Sequence, residues 1–467
     1  MGSPPHSGVA LPKVNGCQVT EVDFATDLLS LHRYHPERYP FLLESVASGT
    51  ENSRYDILFA FPQQRLIQRS PQPLGEGDFL SCFDTQWGAE QITPLTSELP
   101  FSGGWFLYLS YELAQEIEPT LQLPLKNGAD RGLPLALAAR IPAALIRDHH
   151  QRRLYWVVET AYAALIPQLQ ADLDAVMVLA ATVDASPSDA TLVEEAPLPF
   201  LQGVERIKEY IYAGDVFQVN LSRRWRSTQP YTAPPIGLYE RLRRSNPAPF
   251  AALAQIDGDY IISSSPERLV RVRGGRVDTR PIAGTHPRAV ETQSDWQLSQ
   301  ALLSHPKERA EHIMLIDLER NDLGRICTPG TVRVNELMSL ESYPHVHHIV
   351  SNIEGELLPG ATPGEVLRAL FPGGTITGCP KVRCMEIIAE LEQQPRGAYT
   401  GSLGYINRDG SMDLNILIRT LTLESGTLAF RAGAGIVADS NAALELAETR
   451  AKARGMLLAT TGAALST

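Results

Sequence analysis

Two pairs of glutamates, each three residues apart, are the groups in this chain best placed to do chemistry together: Glu308 with Glu311, and Glu445 with Glu448. Lys452 follows Glu448 by four residues, so a helix through this segment carries Glu445, Glu448 and Lys452 on one face. Taken alone, that spacing is also what a solvated face with an i,i+4 Glu–Lys pair shows, the commoner case. The first pair changes the weighing. Glu308 and Glu311 run directly into the apolar stretch HIMLID, which carries its helix inward. Carboxylates gathered there repel unless a hard cation lies between them. Oxygen-only ligands point to Mg²⁺ rather than zinc, with positions left for water and an anionic substrate.

Other groups extend this constellation. Gly433-Ala434-Gly435 reads as a glycine-rich turn whose N–H groups can face an anion, with Asp439 or Ser440 capping the helix that follows. Arg419 stands amid apolar residues in ILIRTLTL. It either faces solvent from an alternating strand or grips a carboxylate through its planar fork. His345, His347 and His348 cluster in a loop, where a polarising or proton-transferring role competes with an ordinary surface one. Glu267 follows Pro266 at a strand end, as a catalytic acid at an element edge or as part of a solvated turn.

Two nucleotide readings fail for lack of parts. Residues 433–438 match GxGxxG/A, but the chain ends soon after the next helix and no βαβ unit can close. Gly373 and Gly378 have P-loop spacing, with Cys379 and Pro380 where Lys and Ser/Thr belong.

The elements that must position these residues are mixed. Before residue 181 short alternating runs such as YDILFAF (55–61) and LYWVV (154–158) predict strands, as does the run after Gly103-Gly104, and a helix is predicted near 163–180. Residues 181–200, rich in Ala, Ser, Asp and Pro, read as a connector between an N-terminal region (15–180) and a catalytic region (201–460). Beyond it, helices are expected over 201–213, after Ser304 and Pro306, and from about 441 to 458. Strands are expected at 260–264, 269–272, 401–407, 415–423 and 428–432. Strands and helices do not alternate regularly, which gives an α+β class with large, mostly antiparallel β-sheets flanked by helices.

Composition bounds the partners. The 467 residues carry a net charge of -12, so nucleic acid and anionic membrane surfaces are poor partners and any anion must be held by local positive charge. Five scattered cysteines fit a reducing compartment, and the Cys379/Cys384 pair lacks further zinc ligands. With no signal-peptide pattern at the start and no apolar run near 20 residues, a soluble cytoplasmic protein is expected.

Taken together, the motifs resemble the chorismate-utilising enzymes, and within them the synthase subunits of aminodeoxychorismate synthase and anthranilate synthase. The runs are LLES (42–45), GDVFQVNLSRR (214–224), SPERL (265–269), PIAGTHPR (281–288), ERAEHIMLIDLERNDLGR (308–325) and HVHHIVS (345–351). GGTITGCPKVRCMEII (373–388), MDLNILIRT (412–420), GAGIVADS (433–440) and ELAETRAKA (445–453) complete them. The resemblance implies Mg²⁺ at Glu311 and Glu448, with Glu308 and Glu445 beside them. It implies carboxylate binding by Arg419, Lys452, Gly284, Thr285 and the amides near Gly433 and Gly435, and substrate contact by Thr375 and Tyr399. Glu267 would be an acid/base, and His348 would assist at the leaving groups. Gln218 stands where water-adding relatives carry a lysine base, which implies ammonia as nucleophile. A separate glutamine amidotransferase subunit would supply that ammonia. Leu43, Glu44 and Ser45 fall in the pocket where relatives bind tryptophan.

The implied product is 4-amino-4-deoxychorismate, on the way to p-aminobenzoate and folate. SRYDIL (53–58) and ITGCPKVRCMEII (376–388) lie on that side. Ala283 stands where many aminodeoxychorismate synthases carry a nucleophilic lysine, and matches anthranilate synthases instead. Anthranilate synthase component I is therefore the rival, and a non-catalytic tryptophan-binding regulatory subunit the rival of another class.

Overall fold

The computed structural model describes residues 11–461 apart from residues 15, 47–53, 76, 94–96, 127–131, 179–190, 288–305 and 343–345. Side chains at 283–287, 306–308, 342 and 346–348 are likewise outside the description.

Two large sheets dominate, and every strand pairing among the described residues is antiparallel. The first has twelve strands and runs in space from Cys17–Val22, through Tyr55–Ala60 and Phe41–Glu44, to Phe250–Ile256 and Asp259–Ser265. It continues through Thr420–Glu424 and Thr427–Ile436 to Gln218–Ser227 and the short strand Gly378–Cys379. The second has ten strands and runs from Ile282–Pro287 through Val346–Glu356, Arg268–Arg273, Met412–Asn415 and Ser402–Asn407 to Gly104–Leu109 and beyond. Both sheets draw strands from either side of residues 181–200: Phe41–Ala254 are partners in one, Gly104–Asn407 in the other. The sheets meet over an aromatic core in which Phe41 of the first stacks on Phe106 of the second, ring centres 3.8 Å apart. The expected α+β class is the one observed.

Several local expectations change. Within the stretch read as a connector, Leu192–Glu194 is a strand paired with Trp225–Ser227, and a helix starts at Pro197, where a missing N–H costs nothing. Gly433–Gly435 is no turn: it lies inside the strand Thr427–Ile436, opposite Asn220–Ser222. Neither Asp439 nor Ser440 caps the last helix. The Asn441 side chain accepts the N–H groups of Ala443 and Leu444, while the Ser440 hydroxyl accepts that of Val437. Arg419 is not in a strand either. It sits between Met412–Asn415 and Thr420–Glu424 with φ +50°, so alternation cannot assign its direction.

Candidate active site

The strand Gln218–Ser227 is the base of the site. Its period of two sends Gln218, Asn220 and Ser222 to one face, all buried. Ordinary core positions would be apolar, and the buried Gln218 and Asn220 each retain an amide oxygen without a hydrogen-bond partner among the described residues. The Gln218 Nε2–H₂ donates to Glu311 Oε1 at 2.7 Å. This bond fastens the helix Pro306–Gly324 to the strand.

The neighbouring strand explains its glycines. A Cβ on Gly435 would lie 2.2 Å from Gln218 Nε2 and 3.3 Å from Glu311 Oε1. A Cβ on Gly433 would lie 2.7 Å from both Asn220 Oδ1 and Tyr399 OH. The glycines are there for room, not for turning, and the space they leave adjoins a carboxylate, two amides and a phenol. Pairing of this strand with Thr420–Glu424 ends at Leu421↔Phe430, so among the described residues the outer edge beyond Phe430 is unpaired in the sheet. An open edge of backbone N–H and C=O groups can meet a carboxylate.

The helix Ala442–Thr461 packs against this strand. Leu446, Thr449, Ala453, Met456 and Ala459 are its buried stripe at helical spacing. Glu445 shares the buried side, whereas Glu448 is about half exposed and pairs with Lys452 at 2.7 Å. Lys452 Nζ also donates to the Gly433 carbonyl at 3.1 Å, placing its charge at the cradle. The structure thus brings together Gln218, Glu311, Gly433, Gly435, Tyr399, Lys452 and Glu448.

Glu267 is not on a solvated turn. It is 4% exposed, and among the described residues no side chain or backbone group makes a close hydrogen bond to its Oε1. Burial pushes its carboxyl up to about 7; the Thr375 hydroxyl opposes the rise, the Glu319 charge adds to it, and the Ile282 backbone and Lys452 oppose it more weakly. Thr375 lies in the turn Gly374–Ile376, its buried hydroxyl set beside the Glu267 carboxyl, whose charged form it favours. Gly284, Thr285, Glu308 and His348 have side chains outside the described residues. In the backbone register Thr285 stands opposite His348, so that histidine belongs to the strand Val346–Glu356 and not to a loop. Arg419 is half-buried, and its carbonyl accepts the Ser264 N–H.

Several residues here were missed from sequence. Asn220 was signalled only by the strand period. Glu319 and Asp322 lie one turn apart on the Glu311 helix, and both are buried and pushed up by burial. Lys381 closes on Asp322 at 2.5 Å. Glu392, Arg396 and Arg431 form a buried ion cluster that no local pattern announces.

Leu43, Glu44 and Ser45 line a separate cavity of about 290 Å³ between the sheets, shared with Tyr55, Phe250 and Asp413. That is near the lower end of small-molecule sites, roughly 300–1,000 Å³. The Glu44 carboxylate is engaged by Tyr239 OH at 2.5 Å and Arg243 at 3.2 Å, and burial pushes it up.

Among the described residues no group of three or more His, Cys, Asp or Glu side chains converges as a metal cluster, Glu308 being outside that set. The donors present still suit a hard cation. They are oxygens, one glutamine oxygen at the cradle is unpartnered, and the Gly435 space adjoins Glu311.

Two antiparallel sheets with a buried acid, a carboxylate helix and a glycine-opened strand define a class, and the chain belongs to it: residues 39–458 match the family of chorismate binding enzymes. Within that family it is similar to proteins of two kinds. It is 44% identical over 368 residues to an anthranilate synthase component I-like protein of Synechocystis, covering 79% of this chain and 75% of the relative. It is 42% identical over 392 residues to aminodeoxychorismate synthase component 1 of Bacillus subtilis, covering 82% of each. The solved structure of anthranilate synthase component I from Streptococcus pneumoniae superposes with a TM-score of 0.76 at 33% identity, covering 88% of this chain and 93% of that one. The protein is a chorismate-utilising enzyme of the component I kind, and these identities do not choose between the two syntheses. Among the described residues no helix is long and apolar enough to cross a membrane.

Proposed function

We propose that the protein is component I of an aminodeoxychorismate synthase, joining ammonia to chorismate to give 4-amino-4-deoxychorismate. Gln218 carries the aminating part of this reading. It is buried at the cradle and bonded to Glu311, and a neutral amide cannot take a proton from water. A nucleophile reaching this point must attack unassisted, which ammonia does and water does not.

Glu267, with its carboxyl near 7, can hold a proton at neutral pH and give it to the departing hydroxyl, then take one from the incoming amine. Lys452 and the open edge at Gly433–Gly435 orient the substrate carboxylates, with Arg419, Gly284 and Thr285 in the same service. Thr375 and Tyr399 bound the ring, and His348 assists at the leaving group. Mg²⁺, held by Glu311 and Glu448 with Glu308 and Glu445 beside them, would neutralise a substrate carboxylate and polarise the ring toward loss of hydroxide. A glutamine amidotransferase partner would supply ammonia in the cytoplasm, and the Leu43–Ser45 cavity would take tryptophan.

SRYDIL and ITGCPKVRCMEII favour the 4-amino product. Ala283 favours the second reading, anthranilate synthase component I, because a methyl group offers no covalent nucleophile. The deciding experiment supplies purified protein with chorismate, Mg²⁺ and ammonium at mildly alkaline pH, with and without added aminodeoxychorismate lyase. Lyase-dependent p-aminobenzoate supports the proposal. Anthranilate formed without lyase overturns it in favour of the second reading.

A further inference from the structure

We propose that Arg396, locked by Glu392, is a positioning residue that sets the shape of the chorismate cradle from behind; this rests on the functional reading above. Glu392 ends the helix Lys381–Glu392, and its side chain is 2% exposed. Five donors surround its carboxylate. Oε1 accepts from the Ser222 N–H (2.9 Å), the Ser222 hydroxyl (2.8 Å) and Arg396 Nη2 (2.7 Å). Oε2 accepts from Arg396 Nε (3.0 Å) and Arg431 Nη2 (2.8 Å). Burial would push this carboxyl up, but the charges of Arg396 and Arg431 win and hold it down.

The rest of the Arg396 fork reaches pieces of the site that are far apart in sequence. Nη2 donates to the Asn220 carbonyl at 2.8 Å, two residues along the strand from Gln218. Nη1 donates to the Ile376 carbonyl at 3.1 Å, next to Thr375. The guanidinium carbon lies 5.5 Å from the centre of the Tyr399 ring. Arg431, the third member, belongs to the strand that carries Gly433 and Gly435. One buried fork therefore fixes the Gln218 strand, the Thr375 turn and Tyr399 relative to the glycine strand.

Stability alone gives poor reason for such a cluster. Buried ion triads can often be replaced by apolar side chains of similar volume without loss, because desolvation offsets their attraction. A planar five-donor fork does what apolar packing cannot: it fixes backbone carbonyls in direction as well as distance. Arg396 is 1% exposed at its side chain, so it acts through these partners and not on the reacting atoms.

The test compares Arg396→Lys and the isosteric Glu392→Gln with Arg140→Lys. The last weakens another buried pair, Arg140–Glu159 (2.6 Å), toward the far end of the second sheet. Chorismate consumption with ammonium is followed at a temperature where each protein is folded by circular dichroism, so the assay is indifferent to which product forms. The expected result is a rise of about tenfold or more in KM for chorismate in Arg396→Lys and Glu392→Gln. KM for ammonium should stay within about threefold, and Arg140→Lys should match the wild type in both constants. Equal effects in all three variants, or an unchanged chorismate KM in the first two, would overturn the proposal. So would failure of both site variants to fold while Arg140→Lys folds, since that would make the cluster a stability element. A wild-type protein that leaves chorismate untouched refutes the functional reading instead.

Discussion

Glu267→Gln separates the buried acid from every other feature of the site. The wild-type carboxyl sits at about 7 instead of the 4.5 of an exposed glutamate, because burial disfavours its charged form. Between those two pH values the folded protein binds more protons at this position than the unfolded chain, so stability falls as pH rises through the window. At 1.36 kcal/mol per pH unit, the wild type loses about 3 kcal/mol from this group between pH 4.5 and 7. Glutamine has nearly the same shape and no proton to lose. Urea unfolding midpoints of both proteins, measured from pH 4.5 to 8, should therefore diverge. The glutamine variant gains relative to the wild type as pH rises and levels off above 7. Turnover should fall by roughly 10²–10⁴, the usual worth of a positioned acid or base. Parallel stability curves would refute the reasoning, for they would mean that the carboxyl is already ionised in the folded state. Normal turnover in the variant would remove Glu267 from the chemistry.

The glycine strand makes a paired prediction. Gly435→Ala meets only side-chain ends, those of Gln218 and Glu311, so the fold should hold while kcat/KM drops at least tenfold as the Gln218–Glu311 bond opens. Gly433→Ala also meets the Leu221 carbonyl at 2.9 Å, which cannot swing away, and should lower the thermal midpoint by an overpacking cost of about 1–3 kcal/mol. Glu311→Ala and Glu448→Ala should each abolish Mg²⁺-dependent turnover with unchanged circular dichroism; activity retained at saturating Mg²⁺ would defeat the metal assignment. Ala283→Lys should leave a functional or altered aminating enzyme by product chromatography, and an unfolded variant would show that the strand cannot take a longer side chain there.

What could be read without the structure was local and periodic. The strand at Asp259–Ser265 and the helix beginning at Pro306 follow from alternation and proline placement, and the helix Pro197–Ala213 from residue 201 onward follows from apolar spacing, all of which act within a few residues. Glu311, Glu448, Lys452 and Gln218 could be singled out because their types and spacing, and the motifs around them, are written in one dimension. Only the tertiary structure decided why Gly433 and Gly435 are glycines. Their reason lies in Asn220, Gln218 and Tyr399, which reach them through sheet pairing and loop placement and not through any turn. From sequence Glu267 could be a catalytic acid at a strand edge or part of a solvated turn, and burial by elements distant in the chain settled its environment. Glu392, Arg396 and Arg431 carry no readable pattern, since an ion cluster becomes legible only when folding removes the water around it. Sequence spacing determines which groups can share a helix face or a strand face; desolvation and contact between remote segments, which set charge state and shape, are properties of the packed fold alone.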